Sequence, residues 1–137
     1  MSNERPTPRR TTISEPFWKA CNEGILTLQR CRSQTCGRYI FYPRVCCPNC
    51  GGGELEWQQV SGRGRIRSFT KVHRPLHESF QGEVPIYFVA VTLDEGPILY
   101  SRLQERPASD DGLLDASVRA VFEKSGTDQA LPVFVIL

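Results

Sequence analysis

Four of the chain's six cysteines, Cys31, Cys36, Cys47 and Cys50, fall in two short knuckles of a single stretch, C-R-S-Q-T-C-G-R-Y-I-F-Y-P-R-V-C-C-P-N-C. Two turns of this kind bring four thiolates to one point, and a tetrahedral sulfur cage suits zinc, whose filled d shell imposes no competing geometry. The second knuckle, C-P-N-C-G, is the stronger: Pro48 fixes a turn and Gly51 lets the backbone curl so that amides face the sulfurs. The first has four residues between its cysteines where two are commoner, still within the range of structural zinc sites. Gly37 follows Cys36 as Gly51 follows Cys50, and Tyr39 to Tyr42 offers a short strand between the knuckles. The stretch reads as a zinc ribbon, a unit that needs its metal for stability. Rubredoxin-like iron fits the same four ligands.

Other uses of cysteine fit less well. No N-terminal apolar signal segment precedes the ribbon, so the expectation is a soluble, cytoplasmic protein with reduced thiols. A redox C-x-x-C would open a helix after a strand, whereas Cys50 runs into Gly51-Gly52-Gly53. The Pro48 turn favours Cys47 over Cys46 as the ligand. Cys21, far outside the cage, reads as a small buried apolar residue. Four thiolates leave no open position for water or substrate, which makes the metal structural.

Formal net charge is +2, and four zinc-bound thiolates with their ion would bring the loaded protein to neutrality. That is a poor footprint for non-specific nucleic-acid binding. The distribution says more: residues 1–74 hold 13 Lys/Arg against 5 Asp/Glu, and residues 75–137 hold 4 against 10. Such polarity points to a localised anion site or a polar partner surface.

At 137 residues the chain holds one domain, or a ribbon with one compact companion. Residues 1–13, rich in Pro and Arg and almost free of apolar residues, read as a mobile arm. Residues 14–60 read as a helix plus the ribbon. Ser14 is the expected N-cap, Pro16 is tolerated in the first turn, and Gly24 stops the helix. Phe17, Trp18 and Cys21 give it an apolar side, for packing on the body or on another subunit. Leu26 and Leu28 lead a strand into the first knuckle, and Leu55 and Trp57 lead one out of the second.

Residues 61–137 read as all-β. Gly62 and Gly64 mark a bulge or tight bend. Strict alternation onward would put Ile66, Ser68, Thr70 and Val72 on one face and Arg63, Arg65, Arg67, Phe69, Lys71 and His73 on the other, a basic ladder with one aromatic. Pro75 to Val84 is a polar loop. Ile86 to Leu93 is a central strand that turns at Asp94-Glu95-Gly96 into a partner over Pro97 to Leu103. Ser117 to Glu123 and Leu131 to Leu137 complete five strands. A kinked first strand among five short ones suits an OB-type barrel closed enough to hide most edges, with a small SH3-like barrel as the alternative.

The motifs F-W-K-A (17–20), L-Q-R-C (28–31), Y-P-R (42–44), C-P-N-C (47–50), L-E-W (55–57), S-G-R-G-R-I-R-S-F-T (61–70), P-I-Y-F-V-A-V-T-L-D-E-G-P (85–97) and L-P-V-F (131–134) occur in the order seen in a known family. The chain resembles the zinc-ribbon plus OB-fold family, long filed as a domain of unknown function, that accompanies thiolase-like enzymes. The likeness covers residues 14–137, and the longer first knuckle and Cys46 depart from it. It implies a small accessory subunit of an acyl-CoA complex. The partner would be a lipid-transfer-protein-type thiolase, an acetyltransferase, a steroid side-chain aldolase or an acyl-CoA hydratase, with the catalytic groups on that larger partner.

The residues agree with a non-catalytic role. Only His73 and His77 are present, no nucleophile elbow occurs, and Pro75 between the histidines blocks the helix that H-x-x-x-H metal binding needs. Coenzyme A carries phosphates and a flat adenine, to which Arg63, Arg65, Arg67 and Lys71 offer charge-assisted bonds and Phe69 a stacking face. The same residues would equally make a solvated strand face or a partner contact. A nucleic-acid-binding ribbon/OB module is the alternative function, weakened by the lack of aromatics interleaved with the arginines. A stand-alone enzyme lacks a nucleophile–base pair altogether.

Overall fold

The computed structural model describes residues 5–137; the part of the expected mobile arm over residues 1–4 lies outside the described residues. Residues 5–13 lie against the body. The Arg5 guanidinium pairs with Glu83 and Glu123, both of which also bind Arg102, and its face lies 4.9 Å from the Phe80 ring centre. Ser125 Oγ donates to the Pro6 carbonyl at 3.1 Å, and Arg10 Nε donates to Gln129 Oε1 at 2.9 Å. Charge pairing thus orders a segment that has almost nothing apolar to bury.

The helix α1 spans Glu15–Asn22 and buries Phe17, Ala20 and Cys21. Ser14 does not cap it, because helical geometry begins a turn earlier: Glu15 N–H reaches the Thr11 carbonyl at 2.8 Å. Thr11 N–H donates to Ser14 Oγ and Ser14 N–H to Thr11 Oγ1, at 3.0 and 3.1 Å, a reciprocal box that satisfies two otherwise orphaned donors. Gly24, at φ 75°, ends the helix as expected: Gly24 and Ile25 N–H groups fold back onto Cys21 and Ala20 carbonyls.

Strands β1 (Thr27–Cys31), β2 (Tyr39–Ile40) and β3 (Leu55–Gln59) form an antiparallel sheet in the order β2-β1-β3, so the two predicted strands frame the ribbon and only half of Tyr39 to Tyr42 is extended. The second sheet contains β4 (Arg63–Val72), β5 (Ile86–Leu93), β6 (Ile98–Arg102), β7 (Ser117–Ser125) and β8 (Gln129–Ile136), in the order β6-β5-β4-β7-β8. This is a mostly β chain with one N-terminal helix, a ribbon and a five-stranded OB-type sheet. The ladder does not close: between β6 and β8 the backbone pairing is limited to a parallel bridge from Leu103, just past β6, to Phe134, where Gln104 N–H reaches the Phe134 carbonyl at 2.9 Å. Within the expected polar loop, Glu78–Glu83 forms a 3-10 turn capped by His77, whose Nδ1 accepts from Ser79 N–H at 3.2 Å. No helix among the described residues is long and apolar enough to cross a membrane.

One core serves both parts of the fold. Phe17, Cys21, Leu26 and Leu28 from the helix and ribbon pack with Ile66, Val89, Val91, Leu113, Val118 and Phe134 from the barrel. Leu28, Val89 and Phe134 are wholly buried, and each such side chain contributes about 1.5–3 kcal/mol relative to exposure. The bend at the start of β4 has a steric cause. A Cβ on Gly64 would stand 2.4 Å from the Thr92 carbonyl oxygen and 2.8 Å from Val91 Cγ1, so only glycine lets β5 approach. Gly64→Ala should therefore lower the unfolding free energy by about 1–3 kcal/mol in urea titrations. Gly53→Ala, with open space around the new methyl, should leave the midpoint unchanged.

Candidate metal centre and basic strand face

Cys31 ends β1, where its N–H is held by the Arg38 carbonyl at 2.9 Å. Cys36 N–H turns back to Ser33 O at 3.1 Å, and Gly37 follows at φ 66°. In the second knuckle Gly51 N–H bonds Cys47 O and Cys47 N–H bonds Gly52 O, both at 2.8 Å, with Gly51 at φ 76°. Buried Gln29 positions the loop between the knuckles: its Nε2 donates to the Arg44 carbonyl at 2.8 Å, and its Oε1 accepts from Arg44 N–H at 2.7 Å.

The four predicted ligands meet. Their sulfurs all lie within 4.8 Å of one another, with Cys31–Cys50 at 3.5 Å and Cys36–Cys47 at 3.7 Å. Zinc bonds of about 2.3 Å to sulfur require tetrahedron edges of roughly 3.8 Å, so the residues fit a zinc ion. A disulfide needs sulfurs about 2.05 Å apart, and all six cysteines are free. Gly52 N–H points at Cys50 Sγ (3.4 Å) and Asn49 Nδ2 at Cys36 Sγ (3.5 Å), donors that favour thiolate. The Arg38 backbone amide and then Asn49 bring the Cys36 thiol down to about 6. At Cys50 the Gly52 amide acts in the same direction, but neighbouring Cys31, partial burial and the other thiols outweigh it and push the group up to about 11. Cys46 is exposed and outside the cluster, and Cys21 is buried, its thiol pushed up to about 12 by desolvation.

The basic ladder is not continuous. Ile66 pairs with Val91, but Ser68 pairs with Ala90, so one extra residue, Arg67, enters β4 and the alternation shifts. Arg63, Arg65 and Arg67 are exposed. Phe69 now lies opposite Val89 and Lys71 opposite Tyr87; Phe69 is half-buried and Lys71 stays exposed. Phe69 stacks on Tyr87 at 6.1 Å and packs against the core. Lys71 Nζ sits 2.5 Å from Asp110 and 5.4 Å from the Tyr87 ring centre. Its bond to Asp110, then that to Tyr87, raises the Lys71 pKa, and Lys71 and then Tyr87 lower that of Asp110. The predicted set thus divides: Arg63 and Arg67 make no ion pair with a described residue, Arg65 and Lys71 stay exposed while pairing with Asp115 and Asp110, and Phe69 packs on the core.

Register supplies a member that sequence reading missed: exposed Arg119 of β7 lies directly opposite Arg63. Two exposed aromatics were also missed, Phe88 and Tyr100, stacked at 6.3 Å on β5 and β6 rather than interleaved with the arginines of β4. A run as continuously apolar as Ile86 to Leu93 hides which of its residues face out. His73 and His77 join no metal-ligating group among the described residues.

Two family descriptions match the chain: "ChsH2, rubredoxin-like zinc ribbon domain" over residues 18–56 and "ChsH2, C-terminal OB-fold domain" over residues 57–123. Similar curated proteins are DUF35 domain-containing scaffold proteins of Methanothermobacter thermautotrophicus, 36% identical over 69 residues, and Pyrococcus furiosus, 33% identical over 69 residues. Each alignment takes 50% of this chain, with 51% of the first relative and 50% of the second, so the chain spans about half the length of the curated relatives it matches. Among solved structures, a chain of the Ltp2-ChsH2(DUF35) aldolase superposes with a TM-score of 0.82 at 27% identity, over 95% of this chain and 98% of that one.

Elemental analysis of protein purified without added metal should find one zinc per chain. Cys47→Ser should abolish zinc retention and unfold the outer knuckles, because metal binding and folding are one equilibrium where two of three buried residues are ligands. Acid should release the ion, since protons compete for thiolates; full zinc retention by Cys47→Ser would refute the ligand assignment.

Proposed function

Because the chain belongs to the ChsH2 family of zinc-ribbon and OB-fold proteins, we propose that it is a non-catalytic accessory subunit. In this reading it helps a thiolase-like catalytic partner of the lipid-transfer-protein type to hold a coenzyme A thioester. The observation that carries the reading is the near full-length match to a chain of an aldolase whose name joins a DUF35 protein to Ltp2. The naming of the archaeal relatives as scaffold proteins points the same way.

The chain's own residues fit the supporting part. Bound zinc supplies cross-linking of the ribbon, and four sulfur ligands leave no position for substrate. Arg63, Arg67 and Arg119 make no ion pair with any described residue, while Arg65 makes an exposed one with Asp115 at 3.2 Å. These guanidiniums suit the phosphates of the nucleotide end of coenzyme A. Lys71 and Phe69 act behind them, one fixing the loop that carries Asp110 and the other packing the strand. Free thiols and a zinc cage suit the reducing cytoplasm.

The purified chain alone should turn over no thioester by condensation, aldol cleavage or hydration; activity should require a larger subunit. Turnover tracking the concentration of the lone chain would refute this. In the complex, Arg63→Ala or Arg67→Ala should raise the KM for the coenzyme A thioester about tenfold, the loss of one charge-assisted contact. The KM for a pantetheine thioester, which lacks the nucleotide phosphates, should barely move. An arginine that binds the partner would instead weaken co-purification, and an unchanged KM in an intact complex would mean a solvated strand face.

A further inference from the structure

Two glutamates share two arginines beside the seam between β6 and β8. Glu83, at the end of the 3-10 turn, gives one carboxylate oxygen to Arg5 and the other to Arg102, and Glu123 of β7 gives the same oxygen to both. Arg102 belongs to β6, whereas Arg5 belongs to the N-terminal segment. The Arg5 guanidinium reaches the two carboxylates through different nitrogens, Nη1 to Glu123 at 2.8 Å and Nη2 to Glu83, and its carbon lies 4.9 Å from the centre of the Phe80 ring. An ammonium has neither the fork nor the flat face, so the pair of carboxylates with Phe80 is a receptor for arginine rather than for any cation.

The segment that carries Arg5 is held by little else. Ser125 Oγ on the Pro6 carbonyl and Arg10 on Gln129 are its other bonds to the barrel, and Thr7 packs on Gly126, where a Cβ would stand 2.8 Å from Thr7 Cγ2. Pro6 and Thr7 are exposed, a void of about 120 Å³ remains between Arg5 and Leu131 and Val133, and a cleft of about 860 Å³ stays open between the segment and the turn at Gly126–Gln129. If Arg5 simply left, Arg102 would face two carboxylates, with Glu123 only 26% exposed, and a half-buried negative charge would lack its partner. If another guanidinium entered as Arg5 left, the charge would stay balanced, and Arg102 would hold both carboxylates in place throughout. The site is arranged for the exchange of one arginine for another.

We propose that Glu83, Glu123 and Phe80 form a docking site for an arginine of the catalytic partner protein, carried on an extended segment, and that the chain's own N-terminal segment fills it in the free protein. The partner's identity rests on the accessory-subunit reading; the receptor's chemistry rests on the lone chain. The site is acidic and lies on different residues from the arginines of β4 and β7, so it takes a cationic side chain where they take an anion.

The zinc-loaded full chain should be compared with its Arg5→Gln variant. Trypsin should cut after Arg9 and Arg10 at least tenfold faster in Arg5→Gln, with zinc content unchanged. An N-acetylated peptide of residues 5–13, R-P-T-P-R-R-T-T-I, should saturate one site on Arg5→Gln and shift the amide resonances of Phe80, Glu83 and Glu123. On the wild type it should bind at least tenfold more weakly, because the tethered Arg5 competes at high effective concentration. Arg5→Lys in the peptide should weaken binding to the variant at least tenfold, and so should Glu83→Gln added to the variant; Glu83 sits on a surface turn, so that change spares the sheet. No saturable binding to Arg5→Gln, equal binding of the lysine peptide, or cleavage that ignores Arg5→Gln overturns the proposal. A wild-type chain that dimerises as its N-terminal segment is released would make the occupant a second copy and overturn the partner assignment. In an assembled complex with the catalytic subunit, cleavage after Arg9 and Arg10 should rise to the Arg5→Gln rate, and cleavage no faster than in the free chain also overturns it. Failure of the accessory-subunit reading shows separately, as the absence of any complex, and leaves the peptide titration of the lone chain unaffected.

Discussion

Four thiols whose sulfurs lie within 4.8 Å of one another cannot all ionise unless a cation stands among them. The conflict is visible in the split between Cys36, drawn down to about 6 by amide and side-chain donors, and Cys50, driven up to about 11 against its own amide donor. A dication removes the repulsion for both, and the donors on Cys36 and Cys50 then support the bound thiolates. The outer ribbon has little else: its separate cluster contains Cys31, Ile40 and Cys47, with Cys36 and Leu55 packed on it. Two of its three buried members are ligands, so the metal is the core of that half.

The inner half of the ribbon depends on the barrel instead. Strand β1 joins the two regimes, since Leu28 lies in the barrel's core and Cys31, three residues on, reaches the cage. Val60 N–H on the Leu26 carbonyl at 2.9 Å and Ser61 N–H on Glu95 Oε2 at 2.9 Å then fix the passage from β3 into β4. Order at the cage is therefore transmitted into the main core along β1, with Tyr39 of β2 and Trp57 of β3 packed against the same core. Loss of metal would loosen the outer knuckles first and leave Leu26 and Leu28 packed.

Local signals were legible where chemistry is local. The cysteine spacing, the Gly24 stop, the hairpin at Asp94-Glu95-Gly96 and the glycine bend before β4 each follow from residues a few positions apart. The bulge at Arg67 was not legible, because R-x-R-x-R continues to alternate straight through it. Its partners lie far along the chain: Ile66 donates to the Ala116 carbonyl at 3.0 Å and accepts from Asp115 N–H at 2.8 Å, both in the connection between β6 and β7. The same connection buries Leu113 to 2% exposure. The order of residues 5–13 was hidden for a similar reason, since Arg5 finds its carboxylates on Glu83 and Glu123.

Ion pairing makes the chain's charge asymmetry local. Acidic residues of the second half are drawn to basic residues of the first: Asp110 to Lys71, Asp115 to Arg65, Glu83 and Glu123 to Arg5. This pairing consumes Lys71 and Arg65 of β4 and Arg5 of the N-terminal segment, and it leaves Arg63, Arg67 and Arg119 without a described acidic partner. Arg63 and Arg119 stand directly opposite on neighbouring strands, an arrangement that costs stability between like charges. Solvent tolerates that cost at an exposed site, but an anion between the strands would reverse its sign. Arg63, Arg67 and Arg119 thus form one exposed basic group at the outward end of β4 and β7, and an anion held there would gain a partner that the described acidic residues do not supply.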